Sequence, residues 1–97
     1  MNIELKKFGL TLISRQSGKE ALAAFEPSLR GISDGEEIIV DFSGVITFSP
    51  SWGDEFLTPL SKRYGTRFKL ISADNPSVSA TIEILEKANN IKFTIVK

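Results

Sequence analysis

The run Ile38-Ile39-Val40-Asp41-Phe42 is the feature that most narrows the fold. It is short, nearly continuous, and built from β-branched and aromatic residues. Such a run fits a central strand of a parallel sheet, covered on both faces. Val45-Ile46-Thr47-Phe48 extends it past a turn at Ser43-Gly44.

Helical periods flank this strand. Ser17 is a candidate N-cap with Glu20 three residues on, in the manner of a capping box. Leu22, Phe25, Leu29 and Ile32 then fall on one helical face. Pro27 should kink that helix or divide it, and Gly31 with Ser33-Asp34-Gly35 ends it. A second helix follows Ser49-Pro50-Ser51 and carries Phe56, Leu57, Leu60 and Tyr64, with a bend expected at Pro59. Arg67–Ile71 is a strand. Asn75 caps a third helix with Pro76 in its first turn, and Asn89-Asn90 stops it. Ile91, Phe93 and Ile95 alternate in a last strand at a sheet edge. At the front, Ile3 and Leu5, then Leu10 and Leu12, predict two strands joined by a hairpin turn at Phe8-Gly9. The order is β-β-α-β-α-β-α-β over residues 1–97. It predicts one α/β domain with three helices and a single mixed, mostly parallel sheet.

Composition limits the chemistry. Among 97 residues there is no cysteine and no histidine. Disulfides, thiolate catalysis, Cys-based zinc sites and triads of the Ser-His-Asp type are therefore out of reach. Carboxylate chemistry, a lysine base and a Mg²⁺ site stay open. Twelve basic residues balance twelve acidic ones, so no long-range field draws in nucleic acid or an anionic membrane. Neither is expected as a partner, and no cofactor or bound metal is expected. No apolar run approaches the roughly 20 residues that span a bilayer. The N-terminal segment lacks the apolar stretch of a signal peptide, and a cytoplasmic, prokaryote-like domain is the expectation.

The stretch from Val40 to Phe56 carries the chemistry that remains. Its loop leaves the carboxyl end of a strand and enters a helix, the usual place for a ligand crevice in a parallel sheet. Free N–H groups at the helix start suit a phosphate, a carboxylate or a phosphoserine. Ser49 or Ser51 is either the cap or a phosphoacceptor, and local chemistry favours capping. Asp54 and Glu55 would repel a second negative charge. Adjacent helical residues point about 100° apart, so the two should not converge on one bond. They suit the helix dipole, a cation, or a partner's arginine or lysine. Trp52 is either core or an interface anchor beside the loop. Gly53 completes the candidate loop Ser49–Glu55. Arg15 and Lys19 flank the start of the first helix as secondary contacts. Lys62, Arg63 and Arg67 near the end of the second read as solvated charge placed well for the helix dipole.

Ile39-Val40-Asp41-Phe42-Ser43-Gly44-Val45, followed by Ser49-Pro50-Ser51-Trp52-Gly53-Asp54-Glu55-Phe56, resembles the STAS-like family of bacterial domains. Leu12-Ile13-Ser14-Arg15-Gln16-Ser17-Gly18-Lys19 is similar to that family's segment opening the first helix. The order of elements is more distantly similar to anti-sigma-factor antagonist domains. The resemblance implies a STAS-like fold and a non-catalytic regulatory role. It implies a protein partner such as a histidine-kinase-like ATPase or an anti-sigma factor. In the antagonists a serine at the start of the second helix is phosphorylated. Matching Gly53 to that motif's glycine places Ser51 on the phosphoserine, with Pro50 and Trp52 where the motif has aspartate and serine. The expectation is an interaction module, monomeric or homodimeric, that binds through the loop and N-terminus of the second helix. The alternative is a small-ligand or nucleotide sensor using the same helix start.

Overall fold

The computed structural model describes residues 1–97. Six strands form: β1 (Asn2–Glu4), β2 (Thr11–Leu12), β3 (Ile38–Asp41), β4 (Thr47–Phe48), β5 (Phe68–Ile71) and β6 (Thr94–Val96). Three helices separate them: α1 (Arg15–Leu29), α2 (Pro50–Tyr64) and α3 (Pro76–Asn89). The expected α/β class with three helices stands. One sheet has the order β1-β3-β5-β6, and β2 pairs with β4 in a second, two-stranded ladder.

Every pairing is parallel. The predicted opening hairpin does not form, so it adds no antiparallel strand to the sheet. Residues Leu5–Phe8 make a 3₁₀ turn instead, and Gly9 follows at φ 132°. The chain sidesteps there and does not reverse. Asn2 faces Ile39 and Glu4 faces Asp41, then beyond the break Thr11 faces Thr47 and Leu12 faces Phe48. Both strands break at the same level and resume in step. Two apolar residues in the break explain the preference. Leu5 is fully buried, and the Phe8 ring lies 5.3 Å from Phe56 and 6.3 Å from Phe25. A tight hairpin turn would put both in water.

The four-stranded sheet is wound in one direction. Right-handed crossovers from β1 to β3, β5 and β6 in turn place every helix on the same face. Burial follows this geometry. Ile3, Ile38, Val40, Phe68 and Leu70 are sealed against the helices, while Ile39, Asp41, Lys69 and Ile71 on the reverse face are only half-buried. The central run is thus covered on one face, not two. A continuous apolar run cannot tell these cases apart, because the reverse face tolerates an isoleucine beside an aspartate.

Helix starts follow the caps. α1 begins two residues before the predicted Ser17 cap, because Ser14 holds extended backbone and its Oγ accepts from the Ser17 N–H at 3.0 Å. Pro27 does not divide α1. It lies in the last turn, so no further helical segment follows for it to split off. α2 is continuous through Pro59. Asn75 caps α3 and Asn90 ends it in the left-handed region at φ 53°, as the sequence predicts. Phe8, Phe25, Phe42, Phe48, Trp52 and Phe56 form one unbroken chain of ring contacts, 5.1 to 6.3 Å between centroids. That chain is the centre of the core.

Candidate functional site

Ser49 and Ser51 part ways at the start of α2. Ser49 is the cap: its Oγ accepts from the Trp52 N–H at 3.3 Å and donates to the Ile13 carbonyl at 2.7 Å. It ties α2 to the chain leaving β2. Ser51 is half-buried, and its hydroxyl makes no hydrogen bond within the chain. It is the hydroxyl left over once the helix is capped.

Trp52 is core, 1% exposed, with its ring stacked on Phe56 at 5.1 Å and edge-on to Phe48 at 5.8 Å. The interface-anchor reading of Trp52 is therefore overturned. Two glycines admit it to this position. A methyl group at Gly18 would stand 2.6 Å from the Trp52 carbonyl oxygen, so α1 meets the α2 backbone directly. A methyl at Gly53 would stand 2.9 Å from Leu85 and 3.0 Å from Phe48. Gly53 is thus a packing residue between α2 and α3, away from any open surface.

Asp54 and Glu55 are answered from inside the chain. Arg15, in the first turn of α1, reaches Asp54 at 3.1 Å and Glu55 at 2.8 Å through the same nitrogen. The expectation that the two acids cannot converge holds for their Cβ directions. It fails because a long guanidinium enters between them. The Asn89 amide also donates to Asp54, at 3.1 Å. Partial burial pushes the Asp54 carboxyl up, but donors from Arg15, Asn89 and Thr58 outweigh it and hold it below the ordinary value. The Thr58 contact is loose, since its hydroxyl is the one buried side-chain polar atom without a well-formed bond. The same two carboxylates raise the Arg15 guanidinium, Asp54 contributing most. Lys19 stands exposed and unpaired. Arg63, read as solvated charge, instead bridges α2 to Glu26 of α1 at 2.7 Å.

Sequence reasoning missed how α3 holds this region. The Asn75 amide donates to the Val45 carbonyl at 3.0 Å while its oxygen accepts from the Ser77 and Val78 N–H groups. Ser77 accepts from the Phe48 N–H and Thr81 donates to the Phe48 carbonyl at 2.6 Å. Helical hydroxyls thus replace the strand that β4 lacks on its free side. The signal was present as Ser77 and Thr81 four apart on one helix face. Also missed were Leu10, Ile13 and Ile46, which are 50, 53 and 64% exposed around the β2–β4 ladder.

A cavity of about 260 Å³ opens at the carboxyl ends of β3 and β5, bounded by Asp41, Ser43, Gly44, Ser72, Asp74 and Asn75. Ser43 donates to the Asp41 carboxylate through both Oγ, at 2.7 Å, and N–H, at 2.8 Å, and so keeps it below the ordinary range. Two aspartates line this cavity, and the first α3 donors are spent on Asn75. It fits an anion poorly. No trio of acidic side chains converges to hold a metal.

A family model, the STAS-like domain of unknown function (DUF4325), matches residues 17–78. The chain belongs to that STAS-like family. No curated protein and no solved structure matches the chain. The matched part of the STAS-like domain runs from the first turn of α1 to the first turn of α3, so it contains the whole loop Ser49–Glu55. Arg15, β1, β2 and β6 lie outside it. No helix of the domain is long and apolar enough to cross a membrane.

Proposed function

We propose that this STAS-like domain is a non-catalytic protein-interaction module with a regulatory role, docking its partner on the rim around the first turn of α2. The observation that carries this reading is the group of exposed aliphatic side chains there, Leu10, Ile13 and Ile46. They belong to one patch of backbone. The Ile46 N–H donates to the Leu10 carbonyl at 2.8 Å, and the Ile13 carbonyl takes the Ser49 hydroxyl. Exposed apolar side chains grouped on a small domain mark a contact surface. Ser51, in the first turn of α2, supplies a hydroxyl next to the Ser49 cap that holds the Ile13 carbonyl.

This reading moves the contact surface off Trp52 and onto the two short strands. Ser51 keeps a place in it. A phosphate there would sit one turn from Asp54 and Glu55 and beside an apolar rim, a placement that repels a docked partner. A bacterial, cytoplasmic partner of the histidine-kinase-like ATPase or anti-sigma class is what the STAS-like resemblance suggests.

The test uses such a partner module from the same genome, purified and titrated calorimetrically. The variants Ile13→Glu and Ile46→Glu should keep the wild-type circular dichroism spectrum and lose at least about tenfold in affinity, roughly 1.4 kcal/mol. Ser51→Asp should weaken binding in the same direction. Unchanged affinity in both isoleucine variants would remove this surface from consideration.

A further inference from the structure

We infer that β6 is a self-pairing edge, and that two copies of this chain join antiparallel along it into one continuous sheet. The two edge strands of the sheet, β1 and β6, are each paired on one side only, and they differ in side-chain cover. At β1 the central residue Ile3 is 0% exposed, and the N-terminal amine is tied to the Glu37 carbonyl at 2.8 Å and the Glu36 carboxylate at 3.1 Å, just ahead of β3. β6 is open: its central residue Ile95 is 44% exposed.

Register shows which backbone groups of β6 are unspent. Leu70 faces Ile95, and the Ser72 N–H donates to the Val96 carbonyl at 2.7 Å. Thr94 and Val96 therefore turn their peptide groups toward β5. The N–H and C=O of Ile95 point outward, as do those of Phe93 and Lys97. One of these donors is already satisfied, because the Glu86 carboxylate accepts the Phe93 N–H at 2.9 Å. The rest of the edge has no protein partner.

The surroundings select a second copy as the occupant. On this edge Lys97 has no ion-pair partner, while on the adjoining rim of α3 Glu86 is reached by Lys92 at 3.7 Å and Glu83 by Lys87 at 3.4 Å. Between rim and strand lies a groove of about 230 Å³ whose apolar wall is Ala73, Val78, Ile82 and Ile95. A two-fold axis at Ile95 sets Ile95 against its own copy, the two exchanging both of their backbone bonds. The same axis brings Lys97 of each copy opposite Phe93 of the other, on the helix side and next to Glu86. The unpaired Lys97 of each copy then faces the Glu86 of the other, twice by symmetry. A foreign strand would need to carry this charge pattern independently. The contact is narrow, so the dimer is weak and visible only at high concentration.

Sedimentation velocity across about 10 to 500 μM reads the outcome on the full chain. The weight-average mass should climb from 10.7 kDa toward twice that value. Ile95→Lys puts like charges on the axis and should abolish the climb. Lys97→Glu should weaken it at least tenfold, and Lys97→Glu with Glu86→Lys in one chain should restore it. Should Glu86→Lys disturb the Phe93 contact, an equimolar mixture of wild type and Ile95→Lys still decides the question. It should show half the dimerising material of wild type alone. A constant mass at every concentration overturns the inference. So does a dimer that survives Ile95→Lys, or one that Ile46→Glu removes in place of Ile95→Lys.

Discussion

The first turn of α2 and the outer margin of β6 are both places where backbone groups run out of regular partners, and the chain answers them in opposite ways. At α2 most loose ends are met from inside, the Ser51 hydroxyl excepted. Ser49 caps it, Gly18 lets α1 lie against it, Arg15 covers its acids, and Asn89 reaches across from α3. At β6 a single donor is met, by Glu86, and the rest faces water. The first turn of α2 lies inside the family match, whereas β6 and two of the residues that close α2, Arg15 and Asn89, lie outside it. The lesson is that a loop in the right topological place for a ligand can be consumed by packing.

The largest test of this contrast is Trp52→Ala. If Trp52 is the keystone of the closed region, urea denaturation should show a loss of about 3–5 kcal/mol, as for other buried aromatics. A loss under about 1 kcal/mol would return Trp52 to the surface. Gly18→Ala comes next and turns on its sign. In an open helix this change stabilises by about 0.5–1 kcal/mol. Here the added methyl meets a backbone carbonyl at 2.6 Å that cannot step aside, and a loss of about 1–3 kcal/mol is expected. A stabilised variant would mean that α1 and α2 are not in direct backbone contact.

Acid titration is a smaller test. Asp54 has a folded pKa below its ordinary value of 3.8, so folding favours its ionised form. Its contribution is whole above that value and fades as pH falls through the folded pKa. Stability of the wild type should therefore drop below about pH 4, and Asp54→Asn should flatten that part of the curve. An unchanged acid limb would detach Asp54 from the closed region. The smallest effect belongs to the open positions. Ser51→Asp and Ile95→Lys should each change stability by no more than about 0.5 kcal/mol. A larger loss at either would show that it too is packed.

Much of the architecture could be read from local signals. Asn75-Pro76 and Asn89-Asn90 bounded α3 because capping and left-handed geometry are properties of a few consecutive residues. β3 and β5 were visible as β-branched runs. The opening segment was misread because alternation at Ile3, Leu5, Leu10 and Leu12 reports extended backbone, not its direction, and Leu10 is in fact 50% exposed. A hairpin and a sidestepping parallel strand give the same alternation, and they differ in whether Leu5 and Phe8 are covered. The loop Ser49–Glu55 was found, yet its roles were not. Whether Ser49 or Ser51 caps depends on where the Ile13 carbonyl stands, and Arg15 is 39 residues from Asp54.

By itself the sequence determined the alternation of strands and helices, the cap and stop of α3, and the exclusion of histidine- and cysteine-based chemistry. These follow from local conformational preference and from which functional groups exist at all. Tertiary structure decided that the sheet is wound in one direction, with its helices on one face. It also decided that Trp52, Gly53, Asp54 and Glu55 are spent on internal contacts, and that Ser51, the Leu10–Ile13–Ile46 rim and the β6 edge are not. Those outcomes depend on which distant side chain arrives within about 3 Å, and no spacing along the chain encodes that distance.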